Sequence, residues 1–178
     1  MIKTILVATD DSNHAKKAVS LAADLASRYN ARLIILHAML RDATSNTLRK
    51  LAVRRALTAE QRKLLDTYEI DIQMAVAGSG LDGGMMMPVP APVELLEPIG
   101  RQILDRAAAA AKKAKAKKVT TVLSGGDPAE SVLRTASRQK ADLIVIGTRG
   151  FGELKSLVLG SVSHKVAQQA TRPVLTVK

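Results

Sequence analysis

The sequence predicts an α/β fold, a single domain on an open, doubly wound parallel sheet with helices on both faces. Three observations predict it. Residues 2–38 read as strand, helix and strand in quick succession, which implies a right-handed parallel unit. Residues 118–177 repeat that alternation. Within the repeat, Asp142-Leu143-Ile144-Val145-Ile146 is a short, β-branched apolar run of the kind that makes a strand buried on both faces.

Each element has its own local reason. Ile2 to Ala8 is a strand candidate that runs into Thr9-Asp10-Asp11-Ser12, where Asp11 or Ser12 can cap a helix. Ala15, Ala18, Val19, Ala22, Leu25, Ala26 and Tyr29 then follow helical spacing, and Asn30 ends that helix. Residues 32–38 read as the second strand and 118–123 as another. Asp127-Pro128-Ala129-Glu130 supplies a capping residue and a proline at the first helical position, with Val132, Leu133 and Ala136 as the apolar side. Beyond the 142–146 strand, Val162, Val166 and Ala170 mark a helix from Ser161, and residues 173–177 a last strand.

Residues 41–100 fit this grammar least well and read as an irregular insert in a domain spanning 1–178. Residues 47–68 are expected to be helical, with a break near Thr58, where Thr58-Ala59-Glu60-Gln61 fits a capping box. Residues 69–77 alternate weakly and predict a short strand. Residues 78–98 carry four glycines and four prolines and predict an irregular segment, a lid or a binding loop, with Met85-Met86-Met87 as an adaptable apolar contact. Residues 99–117 predict an Ala-rich, basic helix.

Composition narrows the function classes. There is no cysteine, so neither a disulfide framework nor a thiolate metal site is available, which suits a reducing cytoplasm. No apolar run is long enough to span a bilayer. The net charge is +11, and residues 41–63 and 101–118, with excesses of +5 and +6, account for all of it. Tryptophan is absent and only one Phe and two Tyr occur, so platforms for stacking single-stranded bases are missing. Solvated helix faces are the expected explanation of the charge, with nucleic acid or an anionic membrane surface the lesser one.

The stretch Gly147-Thr148-Arg149-Gly150 to Gly160-Ser161 joins a strand to a helix. Glycines there let backbone approach a ligand closely. The helix start that follows offers unpaired N–H groups and the positive end of a dipole, to which the Ser161 and Ser163 hydroxyls can add hydrogen bonds. The alternative is a glycine-rich turn with Ser161 as an ordinary N-cap.

Other matches fail on context. Gly78-Ser79-Gly80-Leu81-Asp82-Gly83 fits the dinucleotide fingerprint by letter, but the prolines that follow cannot continue the helix it needs. Ser124-Gly125-Gly126-Asp127 reads as a turn into a capped helix. No P-loop lysine motif, nucleophile elbow or histidine pair at metal-ligand spacing occurs. No catalytic residue and no metal ligand is assigned.

The chain resembles the universal stress protein family. The resemblance is carried by Ile5-Leu6-Val7-Ala8-Thr9-Asp10-Asp11-Ser12, by Leu36-His37-Ala38, by the spacing Gly147-x2-Gly150-x9-Gly160-Ser161, and by Pro173-Val174-Leu175-Thr176-Val177. It covers about 1–40 and 118–178. It implies five strands in the order 3-2-1-4-5 and a nucleotide at the C-terminal ends of the first and fourth. By the same resemblance Asp10 and Ala38 would contact adenine, with Ala8 and Thr9 lining that end. Gly147, Arg149 and Gly150 would face the ribose and α-phosphate, and Gly160, Ser161, Val162 and Ser163 the outer phosphates. The implied cofactor is ATP with Mg2+, and the implied assembly a homodimer through the last strand. Relatives often carry proline at the Ala8 position and a bulkier aliphatic at Ala38, so adenine packing is expected to be looser here.

The expected function is therefore a cytoplasmic ATP-binding regulator of the stress response with slow or no hydrolysis. The contrasting reading is a nucleotide-independent interaction module whose basic insert docks a protein, nucleic-acid or membrane partner. That module would bind without Ser161 and fail without residues 78–98 or with Arg54 and Arg55 neutralised. A third reading is a nucleotide-dependent phosphotransferase or self-phosphorylating protein, with the serines near Ser161 as candidate acceptors.

Overall fold

Five parallel strands form one sheet in the order β3-β2-β1-β4-β5. The computed structural model describes residues 1–39, 58–78, 90–150 and 160–178. In chain order the elements are β1 (Thr4–Ala8), α1 (Asn13–Tyr29), β2 (Arg32–Met39), α2 (Ala59–Gly78), α3 (Val93–Lys113), β3 (Lys118–Gly125), α4 (Pro128–Arg138), β4 (Leu143–Gly147), α5 (Ser161–Gln169) and β5 (Val174–Val177). The chain divides into two units, Met1–Met39 with Gly100–Lys178, and Leu40–Ile99.

The first unit holds the sheet. Its central strands are apolar at nearly every position because both of their faces are covered. Ile5, Leu33, Ile35 and Val145 belong to one core, with Ala18, Val19 and Ala22 of α1 and Leu104, Ala107 and Ala111 of α3. Their strand neighbours Leu6, Ile34, Leu36 and Ile144 belong to the other, with Ala129, Val132 and Ala136 of α4 and Val166 of α5. None of these eight strand residues is more than 1 % exposed, and each buried side chain contributes roughly 1.5–3 kcal/mol. Register is fixed by the same alternation, Ala8 standing opposite Leu36 on one side and Ile146 on the other.

The helix ends follow their residues. Ser12 is the N-cap of α1, its hydroxyl accepting from Ala15 N at 3.3 Å. Asn30 closes that helix in the left-handed conformation, φ 50°. Asp127 caps α4 by accepting from Glu130 N at 2.8 Å, with Pro128 in the first turn, and Gly126 makes the preceding turn at φ +89°.

In the second unit the described residues amend the sequence reading. The capping box at Thr58 is present in both directions: Gln61 N donates to Thr58 Oγ1 at 3.2 Å and Thr58 N to Gln61 Oε1 at 3.0 Å. It opens α2, which runs on through the residues expected to form a strand at 69–77. The reason is that Leu65, Tyr68 and Ile72 keep the helical inward spacing, while the alternating Ile70 and Met74 stand 58 % and 71 % exposed. The earlier part of the expected 47–68 helix lies outside the described residues, as do Met85-Met86-Met87. Helix α3 starts at Val93, six residues before the expected start, with Pro98 inside it. An interior proline costs about 3 kcal/mol, which burial of Leu95, Leu96, Ile99 and Ile103 outweighs at roughly 1.5–3 kcal/mol each.

Candidate functional site

Strands β1 and β4 are neighbours, and the helices that follow them pack into opposite cores, α1 on one face and α5 on the other. That divergence opens a crevice at the C-terminal ends of the two strands, where open α/β sheets take ligands. The stretch 9–12, the strand end 147–150 and the start of α5 meet there.

The 9–12 turn is held from within. Thr9 N donates to Leu36 O at 2.8 Å, and Asp11 N donates to Thr9 Oγ1 at 3.2 Å. Asp10 Oδ1 accepts from Ser12 N at 2.9 Å, which fixes one carboxylate oxygen. Beneath the turn, buried His37 lies with Nδ1 2.8 Å from Thr9 O. A carbonyl can only accept, so this nitrogen carries the proton. Asp11 sits at φ 69° with Lys16 Nζ 3.5 Å and Arg106 at 4.0 Å from its carboxylate.

The strand end closes against this turn. A Cβ on Gly147 would lie 2.8 Å from Ala15 N and from the His14 carbonyl carbon, so only glycine lets β4 approach the first turn of α1. On Gly150 a Cβ would meet Asp10 Oδ2 at 2.7 Å. Ser12 Oγ donates to Arg149 O at 3.3 Å, tying the helix cap to the loop.

Thr148, 2 % exposed, joins four elements. Its N–H donates to Val177 O at 2.8 Å, and its carbonyl accepts from Gly160 N at 2.7 Å. The same carbonyl and Gly160 O each lie 3.0 Å from Ser163 Oγ, and Thr148 Oγ1 lies 2.8 Å from His14 Nδ1. Both ends of the glycine-rich stretch are thereby pinned together, with residues 151–159 outside the described part. Neither His14 nor Thr148 was singled out from the sequence. A hydroxyl between Gly147 and Arg149 was the available signal.

Helix α5 starts at Ser161 as the sequence predicts, and the alternative of Ser161 as an ordinary N-cap does not hold. Its N-cap is Gly160, with no side-chain cap bond, and Ser161 is the first helical residue. The N–H groups of Ser161, Val162 and Ser163 occupy the positions that have no carbonyl acceptor within the helix, and no acid lies in this first turn. Gly160 contributes an uncapped helix start, since its own N–H is committed to Thr148. The Ser163 hydroxyl is turned inward, leaving that residue its N–H for a ligand. Ser161 is exposed and Arg149 half-exposed.

Toward the other side of the crevice, Ala8 and Ala38 are half-buried against the α4–α5 core. Ala38 stands in register with Ser124. Ser124 Oγ lies 3.0 Å from Ser131 Oγ, and Arg134 donates to both hydroxyls at 3.2 and 3.3 Å. Lys165 of α5 reaches Asp127 at 3.2 Å and Glu130 at 3.4 Å across the helix starts. Asp127 is held below its ordinary pKa first by the Glu130 N–H and then by Lys165. Among the described residues no group of three His, Cys, Asp or Glu is placed to hold a metal ion.

Comparison with known proteins agrees with this architecture. The model of the universal stress protein family matches residues 1–178. The chain is 33% identical over 186 residues to a universal stress protein of Thermus aquaticus, with all of both chains covered. To the universal stress protein YxiE of Bacillus subtilis it is 31% identical over 180 residues, again with full coverage. Among solved structures it is similar to a universal stress protein in complex with cAMP, at TM-score 0.60 and 25% identity, over 99% of this chain and 96% of that one. A universal stress protein from Archaeoglobus fulgidus in complex with dAMP has the same fold, at TM-score 0.60 and 20% identity, with full coverage of both chains. A family model matched end to end, two fully covered relatives above 30% identity and the 3-2-1-4-5 sheet point one way: the chain belongs to the universal stress protein family.

Proposed function

We propose that this protein binds an adenine nucleotide at the C-terminal ends of β1 and β4 and acts as an ATP-binding regulator of the stress response. The observation that carries the proposal is the start of α5. It is an uncapped, acid-free helix N-terminus, held in the crevice by the Thr148–Gly160–Ser163 bonds, and such a terminus favours phosphate. A family neighbour of similar sequence is described in complex with cAMP, which supports an adenine nucleotide as the ligand class.

In this reading the N–H groups of Ser161, Val162 and Ser163 receive the outer phosphates, with the Ser161 hydroxyl beside them. Gly147, Arg149 and Gly150 face the ribose and α-phosphate, Arg149 supplying charge. Asp10 and Ala38 contact the base, and Ala8 and Thr9 line its end. Mg2+ would enter with the phosphates, whose oxygens and water suffice for a hard cation. Turnover is proposed to be slow or absent. Among the described residues strand β5 pairs with β4 alone, so its outer edge is the proposed dimer contact. A cytoplasmic location is proposed with it.

Calorimetric titration with ATP, ADP and AMP, with and without Mg2+, tests the reading. Saturable binding is expected, and Gly160→Asp should abolish it by placing a carboxylate at the phosphate position. No heat at millimolar nucleotide, or undiminished binding in Gly160→Asp, overturns it.

A further inference from the structure

The sheet is parallel throughout, so all five strands of the first unit begin on one rim, opposite the rim that holds the crevice. Cations collect there strand by strand. Lys3 precedes β1, Arg32 opens β2, Lys118 opens β3, Lys140 comes shortly before β4 and Arg172 shortly before β5. The helix ends that feed this rim add to them. Lys112, Lys113, Lys115 and Lys117 surround the end of α3, Arg28 ends α1 and Arg138 ends α4. Apart from half-buried Arg32, every one of these side chains is exposed.

Acids on the rim are few and already engaged. Asp24 bonds Arg28 at 2.8 Å. Asp142 accepts from the N–H groups of Lys3 and Thr4 at 2.7 and 2.9 Å. By contrast Asp10, Asp11, Asp127 and Glu130 all lie on the crevice rim, at the starts of α1 and α4. The part of the chain that looks balanced in sequence is therefore split by topology, its rim cations at one pole and these acids at the other. Helix dipoles account for cations in a last helical turn. They do not account for Lys3, Lys118 or Arg172, which stand at strand starts, nor for five lysines within residues 112–118.

We propose that this basic rim is a docking surface for the phosphate backbone of a nucleic-acid duplex, bound without sequence preference. The rim is about 19 Å long, four strand spacings of roughly 4.8 Å, a line of cations that fits a linear polyanion. Duplex DNA offers one charge per roughly 1.7 Å of axis. Lysines predominate, which suits phosphate contact rather than the bidentate base reading favoured by arginine. The surface is independent of the crevice, so it stands whether or not the nucleotide reading does.

The test is fluorescence anisotropy of the full chain with a labelled random-sequence duplex across a salt series. The comparison variant carries glutamine at Lys112, Lys113, Lys115, Lys117 and Lys118, and retained helical circular dichroism shows that it folds. About six phosphate contacts predict an affinity loss on the order of a thousandfold between about 50 and about 200 mM salt. The variant should bind far more weakly, with a salt slope shallower by about 4.5, near 0.9 per phosphate contact removed. Absence of duplex binding at about 50 mM salt overturns the proposal. So does equal binding by the variant, or retention on phosphatidylserine vesicles without duplex binding.

Discussion

The two glycines at the end of β4 meet different neighbours, and alanine substitutions should separate them. In Gly147→Ala the new methyl would lie 2.8 Å from Ala15 N and the His14 carbonyl carbon, and 3.0 Å from His14 Cβ. Two of those atoms are backbone in the first turn of α1, so relief requires the helix to move away from β4. Overpacking of this kind costs roughly 1–3 kcal/mol. The shift also stretches the Ser12–Arg149 and His14–Thr148 bonds, at about 1 kcal/mol each if lost. Neither glycine sits in the left-handed region, so alanine returns about 0.4–1 kcal/mol by restricting the unfolded chain. The net expectation for Gly147→Ala is a loss of about 2–3 kcal/mol, or roughly 4–12 °C in Tm for a chain of this size.

In Gly150→Ala the methyl meets, among the described residues, the Asp10 side chain, with Oδ2 at 2.7 Å. That atom is the end of a side chain and can turn aside, so the unfolded-state gain roughly offsets the strain, and stability should change by less than about 1 kcal/mol. Turning the carboxylate disturbs the Asp10 Oδ1 bond to Ser12 N and moves the group proposed to contact the base. Adenine-nucleotide affinity should therefore fall about tenfold or more while Tm stays. Urea unfolding and calorimetric titration of both variants read the two effects. A Gly147→Ala protein as stable as the parent, or a Gly150→Ala protein destabilised to the same degree, would refute the packing argument.

Three further outcomes are expected. Ser163→Ala removes a buried hydroxyl shared between Thr148 O and Gly160 O; thermal melts should show a loss of about 1 kcal/mol, and titration a weaker nucleotide. Asp142 is held below its ordinary pKa by the Lys3 and Thr4 N–H groups. Its contribution is therefore present above the ordinary carboxylate value of about 4 and lost as pH falls through the depressed one; Asp142→Asn should lower stability at neutral pH and flatten the acid limb of denaturation. Ser161→Glu places an acid in the first turn of α5; it should raise helix stability by about 0.3–1 kcal/mol while weakening phosphate binding, a pair of opposite signs readable by melting and titration.

Most of the first unit was legible because its information is local. Strands β1, β2 and β4 are apolar at consecutive positions, and the caps Ser12, Asn30 and Asp127 sit beside the residues they serve. The need for glycine at the end of β4 was legible, since close backbone approach excludes other residue types, as Gly147 shows. What the sequence did not reveal depends on partners far along the chain. Thr148 reaches His14 across 134 positions, and the inward turn of the Ser163 hydroxyl follows from where Thr148 O lies. In residues 69–77 two periods competed: Ile70, Ile72 and Met74 alternate like a strand, whereas Leu65, Tyr68 and Ile72 continue a helix already nucleated at Thr58. Pro98 misled for a similar reason, as a local breaker overruled by the buried side chains around it.

The polarity of the sheet bears on why the proposed phosphate position lies at α5 rather than at another helix. In a parallel α/β unit every helix runs back against the strands, so α1, α4 and α5 all begin on the crevice rim with the positive ends of their dipoles toward it. Two of those ends are already answered by the protein. Asp127 caps α4 and Glu130 lies in its first turn. Asp11 precedes the Ser12 cap of α1, and Asp10 braces Ser12 N. Helix α5 has a glycine cap, no acid in its first turn and no side-chain cap bond. Lys165, within α5, is drawn toward Asp127 and Glu130, whose hydrogen bonds raise its pKa. The acids at the starts of α1 and α4 would repel a free phosphate from those helices, whereas the first turn of α5 carries no acid of its own. On the opposite rim the same dipoles present negative ends, so lysine and arginine are favoured there. One orientation of helices against strands thus favours both the proposed phosphate position and the cations in the last helical turns of the opposite rim.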